Sequence, residues 1–191
     1  TVASQSEYAI IDAQIPLLNP ADVREMVKFG LFGYAMSRYS GCWAGLKCIT
    51  DNMDSSASFC LDSSLPEIIQ PTDFEMPSDG LHIRWPDPFL EQEYRLHKYK
   101  VYAAIAFARA NNINRVTFDS KQPRFGIVAT GKAYLDTLQA LHDLGIDETE
   151  ADRIGLRLLK IGMPWPLEPE VVRNFTKGLS EVVVIEEKRA V

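Results

Sequence analysis

The chain has 191 residues, 46% apolar and 24% charged, with a formal net charge of −6. That length buries a core without staples, in one large domain or two small ones, and the composition is that of an ordinary globular protein. The acidic balance argues against a nucleic-acid or anionic-membrane partner, and no apolar run reaches the roughly 20 residues that cross a bilayer.

The opening "TVASQSEYAI" has no initiator Met, and the last residues are "EEKRAV", so the chain reads as part of something longer. Ser4, Gln5, Ser6 and Glu7 form a polar cluster ahead of an apolar run, as either a helix cap or a substrate loop would. "AQIPLLNPADVREMVKFGLFGYAMSRYS" reads as a short strand and then a helix. Asn19 is the expected cap, Pro20 the first helical residue, and Asp22 sits at the positive end of the dipole. Val23, Met26, Val27 and Tyr34 recur at helical spacing. Gly30 and Gly33 each cost on the order of 1 kcal/mol against Ala, which predicts a closely approaching backbone. "CWAGLKCIT" reads as a buried strand ending near Asp51. Its cysteines, with Cys60, make three, an odd number without C-x-x-C spacing. They read as reduced thiols of a cytoplasmic protein, not as zinc or iron–sulfur ligands.

From Asp54 to Pro88 periodicity is lost and Ser, Pro and Asp accumulate, as in a connector lying along a surface. "GLHIRWPDPF" predicts one short extended piece, because Trp85 and Asp87 each precede a proline. "LEQEYRLHKYKVYAAIAFARANN" predicts a long helix, with Leu90, Tyr94, Val101, Ile105 and Ala108 on one face. "RVTFDS" reads as a short strand. The remainder alternates strand and helix: strand 125–129, helix 132–144 ended by Gly145, a short helix begun by Asp147 and Glu150, strand 156–161, a helix from Pro169 to Gly178, and strand 181–185. Strands joined through helices predict parallel pairing with right-handed crossovers.

"GIVATGK", from Gly126 to Lys132, has the spacing of a phosphate-binding G-x-x-x-x-G-K loop. A phosphate cradle needs bendable residues with amides turned inward, and a following Ser or Thr for magnesium. Ile127 and Val128 instead belong to a strand pattern, and Ala133 has no hydroxyl. The stretch reads as a strand-to-helix corner.

Ligands of open parallel sheets sit beyond the carboxyl ends of the strands. Three tips reach that edge: Thr130-Gly131 with Lys132; the Gly162–Pro166 loop with Met163, Pro164 and Trp165; and Glu186-Glu187. The adjacent glutamates point to opposite faces and do not form a general acid–base pair. His82, His97 and His142 are scattered, without ligand spacing. Arg84, beside Trp85, is placed to grip a carboxylate or to stack on the indole. No G-x-S-x-G marks a nucleophile. The residues alone describe an α/β protein of two pieces with no self-sufficient active site.

"NPADVREMVKFGLFGYAMSRYSG", "GLHIRWPD", "RFGIVATGKAYLDTLQALHDLGID", "GLRLLKIGMPWPLEPEVV" and "VVVIEEKR", in that order, resemble the fused indolepyruvate ferredoxin oxidoreductases of bacteria. The resemblance runs through nearly the whole chain. It implies an open, mostly parallel transketolase C-terminal-like sheet over 89–191 with its leading helix, a connector over 56–88, and the end of a pyrimidine-binding thiamine diphosphate domain, itself α/β, over 1–55. It implies an oxidoreductase that oxidatively decarboxylates aryl 2-oxoacids such as indolepyruvate to the acyl-CoA, with ferredoxin as electron acceptor. Thiamine diphosphate, magnesium and iron–sulfur clusters are expected in the full-length enzyme. This stretch is expected to hold none of them and to be inactive alone, because it has neither a G-D-G…N motif nor a cysteine cluster. Ser4, Gln5, Ser6 and Glu7 resemble the polar segment that enters the active site. Thr130, Gly131, Lys132, Met163, Pro164, Trp165, Glu186 and Glu187 fall on the edge that faces other domains in relatives. The implied partners are the rest of its own chain, a second copy in a homo-oligomer, and ferredoxin. The alternative is a free-standing module that takes an acidic small molecule at the strand tips, through Lys132 or Arg84.

Overall fold

A computed structural model describes residues 5–60 and 65–190. Its first part carries α1 (Glu7–Asp12), β1 (Leu17–Leu18), α2 (Val23–Ser40), β2 (Gly45–Leu46) and α3 (Thr50–Met53). β1 and β2 pair in parallel, Leu17 with Gly45 and Leu18 with Leu46. The cap of α2 is Asp22, not Asn19: its Oδ1 accepts from Glu25 N at 2.8 Å. Asn19 is spent elsewhere, at the strand tips. The buried stripe of α2 is Phe29, Phe32, Gly33 and Met36, a run at i, i+3, i+4 and i+7 that outweighs the stripe read from Val23. Val27 and Tyr34 face outward, Tyr34 at 70% exposure. Neither Gly30 nor Gly33 is pressed by backbone. A Cβ on Gly30 would meet nothing within 4 Å, and one on Gly33 would touch only the Leu18 and Ala44 side chains at 3.6 and 3.7 Å. The strand expected over 42–50 shrinks to two residues because β1 offers only two partners, and Trp43 stands 83% exposed.

Among the described residues of 54–88 there is no helix or strand, including the extended piece expected around Arg84. The segment is nevertheless docked: Leu81 is buried, and the Ile69 backbone exchanges two hydrogen bonds with the Asn111 side chain. The long helix is present as α4 (Phe89–Arg95), a π-helical turn (Leu96–Lys100) and α5 (Val101–Ala110). The extra residue of a π turn rotates the faces on either side out of phase. The single apolar face therefore fails. Ala104, Phe107 and Ala108 are buried against α2, whereas Leu90 and Tyr94 are exposed.

The sheet runs β3 (Arg115–Phe118), β5 (Leu156–Ile161), β4 (Phe125–Thr130), β6 (Glu181–Ile185). β4 is parallel to both neighbours, and β3 is antiparallel to β5. Ile127 pairs with Leu158 and Val183, and Val128 with Leu159 and Val184. Strand β4 is thus laddered on both edges, and these residues cannot curl around a phosphate. Helices α6 (Gly131–Asp143) and α7 (Glu148–Ile154) cover one face with Tyr134, Leu141 and Ala151; α8 (Pro169–Thr176) covers the other with Phe175. Neighbours Leu158 and Leu159 point into these two separate cores, as the period of a strand requires.

Candidate functional site at the strand tips

Thr130 ends β4. Its hydroxyl donates to Ile161 O at 2.8 Å and accepts from Asn19 Nδ2 at 3.1 Å. Although Thr130 holds the cap position of α6, its side chain does not cap the helix. Gly131 follows at φ +53°, and a Cβ there would lie 2.7 Å from Asn19 Oδ1. Only glycine makes this corner without strain. Lys132 Nζ turns along the helix to Asp136 at 2.6 Å.

The loop after β5 is a seam. Asn114 Oδ1 accepts from Gly162 N and Met163 N, each at 2.8 Å. Leu17 N donates to Trp165 O at 2.7 Å and Asn19 N to Gly162 O at 2.8 Å, so β1 is fastened to this loop. Met163, expected on the edge, is fully buried in the core with Phe29 and Phe107; Pro164 and Trp165 remain half-buried beside it.

The polar opening meets the same edge. Ser4 lies outside the described residues. Ser6 starts α1 through its carbonyl, which accepts from Ala9 N at 3.1 Å, and makes no side-chain cap. Gln5 exchanges two hydrogen bonds with the Arg189 backbone, at 3.1 and 3.4 Å, and the Arg189 guanidinium lies 4.7 Å over the Tyr8 ring. Glu7 is buried. Its Oε1 pairs with Lys47, whose ammonium also lies 3.8 Å from Glu187, while Oε2 has no partner. Gln5, Glu7, Thr130, Lys132, Pro164, Glu186 and Glu187 thus surround one hollow, joined by Asn19, Lys47 and Arg189. The last three were not among the expected site residues. Lys47 had a signal, a charge inside the apolar "AGLKCI", but its glutamate partners are far away in sequence.

A second polar centre lies behind the sheet. Lys160, buried inside "LRLLKI", pairs with Glu25 of α2 and sits 4.5 Å over the Tyr134 ring. Arg115 of β3 reaches the same Glu25 oxygen at 3.2 Å, and Ala21 N donates to the other at 2.9 Å. Burial pushes the Glu25 carboxyl up, but the charge and hydrogen bond of Lys160, the Ala21 amide and Arg115 together hold it below its ordinary value. Burial lowers the Lys160 ammonium against the pull of Glu25.

Arg84 grips its own turn. Its guanidinium meets Asp79 Oδ2 at 2.6 Å and the carbonyls of Asp79 and Gly80 at 3.0 and 2.9 Å. Trp85 is 97% exposed, and the three histidines are exposed as well. Among the described residues no three His, Cys, Asp or Glu side chains gather as metal ligands would. Cys42 is buried while Cys48 and Cys60 are exposed. With one cysteine buried and two exposed, the described residues offer no gathered set of thiolates for an iron–sulfur cluster.

Residues 115–191 match a family described as the indolepyruvate oxidoreductase domain. The indolepyruvate oxidoreductase subunit IorA of Methanothermobacter thermautotrophicus is 26% identical over 92% of this chain, and that of Pyrococcus abyssi is 23% identical over 92%. In both cases the chain spans only 26% of the relative. Among solved structures, a 2-oxoglutarate:ferredoxin oxidoreductase from Magnetococcus marinus, determined with 2-oxoglutarate, coenzyme A and succinyl-CoA bound, superposes with a TM-score of 0.51. The match is 12% identical and covers 88% of this chain and 34% of that one. The last comparison establishes the fold; the first two run collinearly through it and bear out the resemblance. The chain is similar to the indolepyruvate oxidoreductase subunit IorA through most of its own length, and spans about a quarter of that subunit.

Proposed function

We propose that the chain is a scaffolding part of an enzyme that oxidatively decarboxylates aryl 2-oxoacids, indolepyruvate among them, to the acyl-CoA with ferredoxin as acceptor. The observation that carries this reading is collinear similarity to IorA over 92% of the chain. Thiamine diphosphate, magnesium and iron–sulfur clusters belong, in this reading, to other parts of the protein, and the partners are those parts, a second copy and ferredoxin. The cytoplasm is the compartment that suits such chemistry; no helix among the described residues is long and apolar enough to cross a membrane. The strand-tip edge would face a neighbouring domain, with Gln5 and Glu7 nearest the reacting centre.

The alternative module for an acidic ligand has the geometry against it. Lys132 is paired with Asp136 and Arg84 with Asp79, and Glu7, Glu186 and Glu187 flank the hollow. The test is turnover of indolepyruvate and CoA with a viologen acceptor. The complete enzyme is expected to turn over and the 191-residue chain alone is not. Activity in the chain alone would refute the scaffolding role; inactivity of the complete enzyme on every aryl 2-oxoacid would refute the reaction.

A further inference from the structure

Away from the strand tips, the end of the connector and the start of α4 hold large apolar side chains out in solvent. Ile83, Trp85, Phe89 and Leu90 are all exposed, Phe89 at 88%. The backbone that carries them is anchored. Leu81 is buried, Asp87 pairs with buried Arg95, and Gln92 Nε2 donates to Asp87 O at 2.8 Å. Trp43, from the first part of the chain, lines one hollow of about 850 Å³ together with Ile83 and Phe89. Trp43, Trp85 and Phe89 alone offer roughly 450–750 Å² of aromatic surface. The largest apolar patch of a typical monomer is about 300–600 Å², and an interface between domains of one chain about 600–1,500 Å².

The charged and titratable lining of the hollow is Asp12, Asp87, Glu93, Lys100, His82 and His97. Arg95 neutralises Asp87. Lys100 Nζ donates to Gly41 O at 3.2 Å. Asp12 and Glu93 have no ion pair among the described residues. With the histidines counted neutral, two carboxylates face one ammonium, so one further positive charge balances the lining. A small molecule seated in the hollow would leave Trp85 and Leu90 bare, because neither lines it. A second copy, paired through a two-fold axis, would bring the same surplus carboxylate. The IorA relatives carry about three quarters of their length outside the matched stretch, since the chain spans 26% of each.

We propose that this face docks a segment of the same polypeptide outside these 191 residues, an apolar stretch that carries a Lys or Arg. Its apolar side chains cover Trp85 and Leu90 and enter the hollow between Trp43 and Phe89, and its base meets Asp12 and Glu93. The proposal rests on the reading of the chain as part of a longer enzyme, and adds to it a second contact face, apart from the strand tips.

Photo-cross-linking of the complete enzyme tests it. Benzoylphenylalanine takes the place of Trp85, whose side chain is so exposed that its loss strands nothing in this fold. After irradiation the expected product is a link within one copy, located by mass spectrometry in an apolar, base-bearing peptide outside residues 1–191. Reversing both free carboxylates, Asp12→Lys with Glu93→Lys, should lower its yield at least about tenfold, because like charges then face each other. Both side chains are exposed and unpaired, so the reversals leave the chain's own packing alone. A product of larger mass on a denaturing gel would give the face to a second copy or a separate protein. A link confined to residues 1–191, or none, would leave the face bare. Either result would overturn the proposal, as would a yield indifferent to the two reversals. Cross-linking is read without turnover, so an enzyme that fails on every aryl 2-oxoacid still tests the face.

Discussion

Gly131 carries more of the corner than its size suggests. It sits at φ +53° with the Asn19 amide where its Cβ would be, and Asn19 in turn holds Thr130. Gly131→Ala should therefore cost about 1–3 kcal/mol. It should appear as a lower urea midpoint at unchanged slope. An unaltered midpoint would mean that the corner relaxes freely. The glycines read first in the sequence, Gly30 and Gly33, have no comparable constraint, and nothing in the structure explains the choice of Gly30.

Among the elements, α8 shows how a short helix is held. Glu168, fully buried, accepts from Glu170 N at 3.0 Å and Val171 N at 2.7 Å and receives Arg109 Nε at 3.0 Å. Glu168→Ala should cost about 1–2 kcal/mol for the cap alone, read as a lower urea midpoint; no loss would show that Pro169 suffices to start the helix. Local signals of this kind made the last third legible. Apolar runs gave β4, β5 and β6, Gly145 and Gly178 marked helix ends, and Asp147 caps α7 through Glu150 N. What was not legible depends on distance. The π turn at Leu96–Lys100 leaves no trace in composition but shifts the phase of two helices. The antiparallel direction of β3 follows from its pairing with β5, not from its own four residues. At the site, the tips and the polar opening were each readable, but Asn19 and Lys47, which join them, contact residues 111 and 40 positions away.

At the scale of the molecule, Glu25, Lys160 and Arg115 lock α2 onto the sheet. Removing one member of a buried pair strands the other charge, so Glu25→Gln should cost about 3–5 kcal/mol at neutral pH. The Glu25 carboxyl lies below its ordinary value of 4.5 in the folded chain. Its contribution is therefore complete above about pH 4.5 and lost as the pH falls through the lower folded value. Urea unfolding across pH should show a constant gap between wild type and variant above that window and a shrinking gap below it. A gap that persists undiminished in acid would refute the assignment.

The fastening of Leu17 to Trp165 and of Asn19 to Gly162 has a consequence for biosynthesis. Strand β1 can pair with β2 as soon as both are made, but its seam with the loop after β5 closes only once that loop has left the ribosome. Until that loop is made, the side of Leu17 and Leu18 that meets it stays bare, and that interval is the one most open to misassembly.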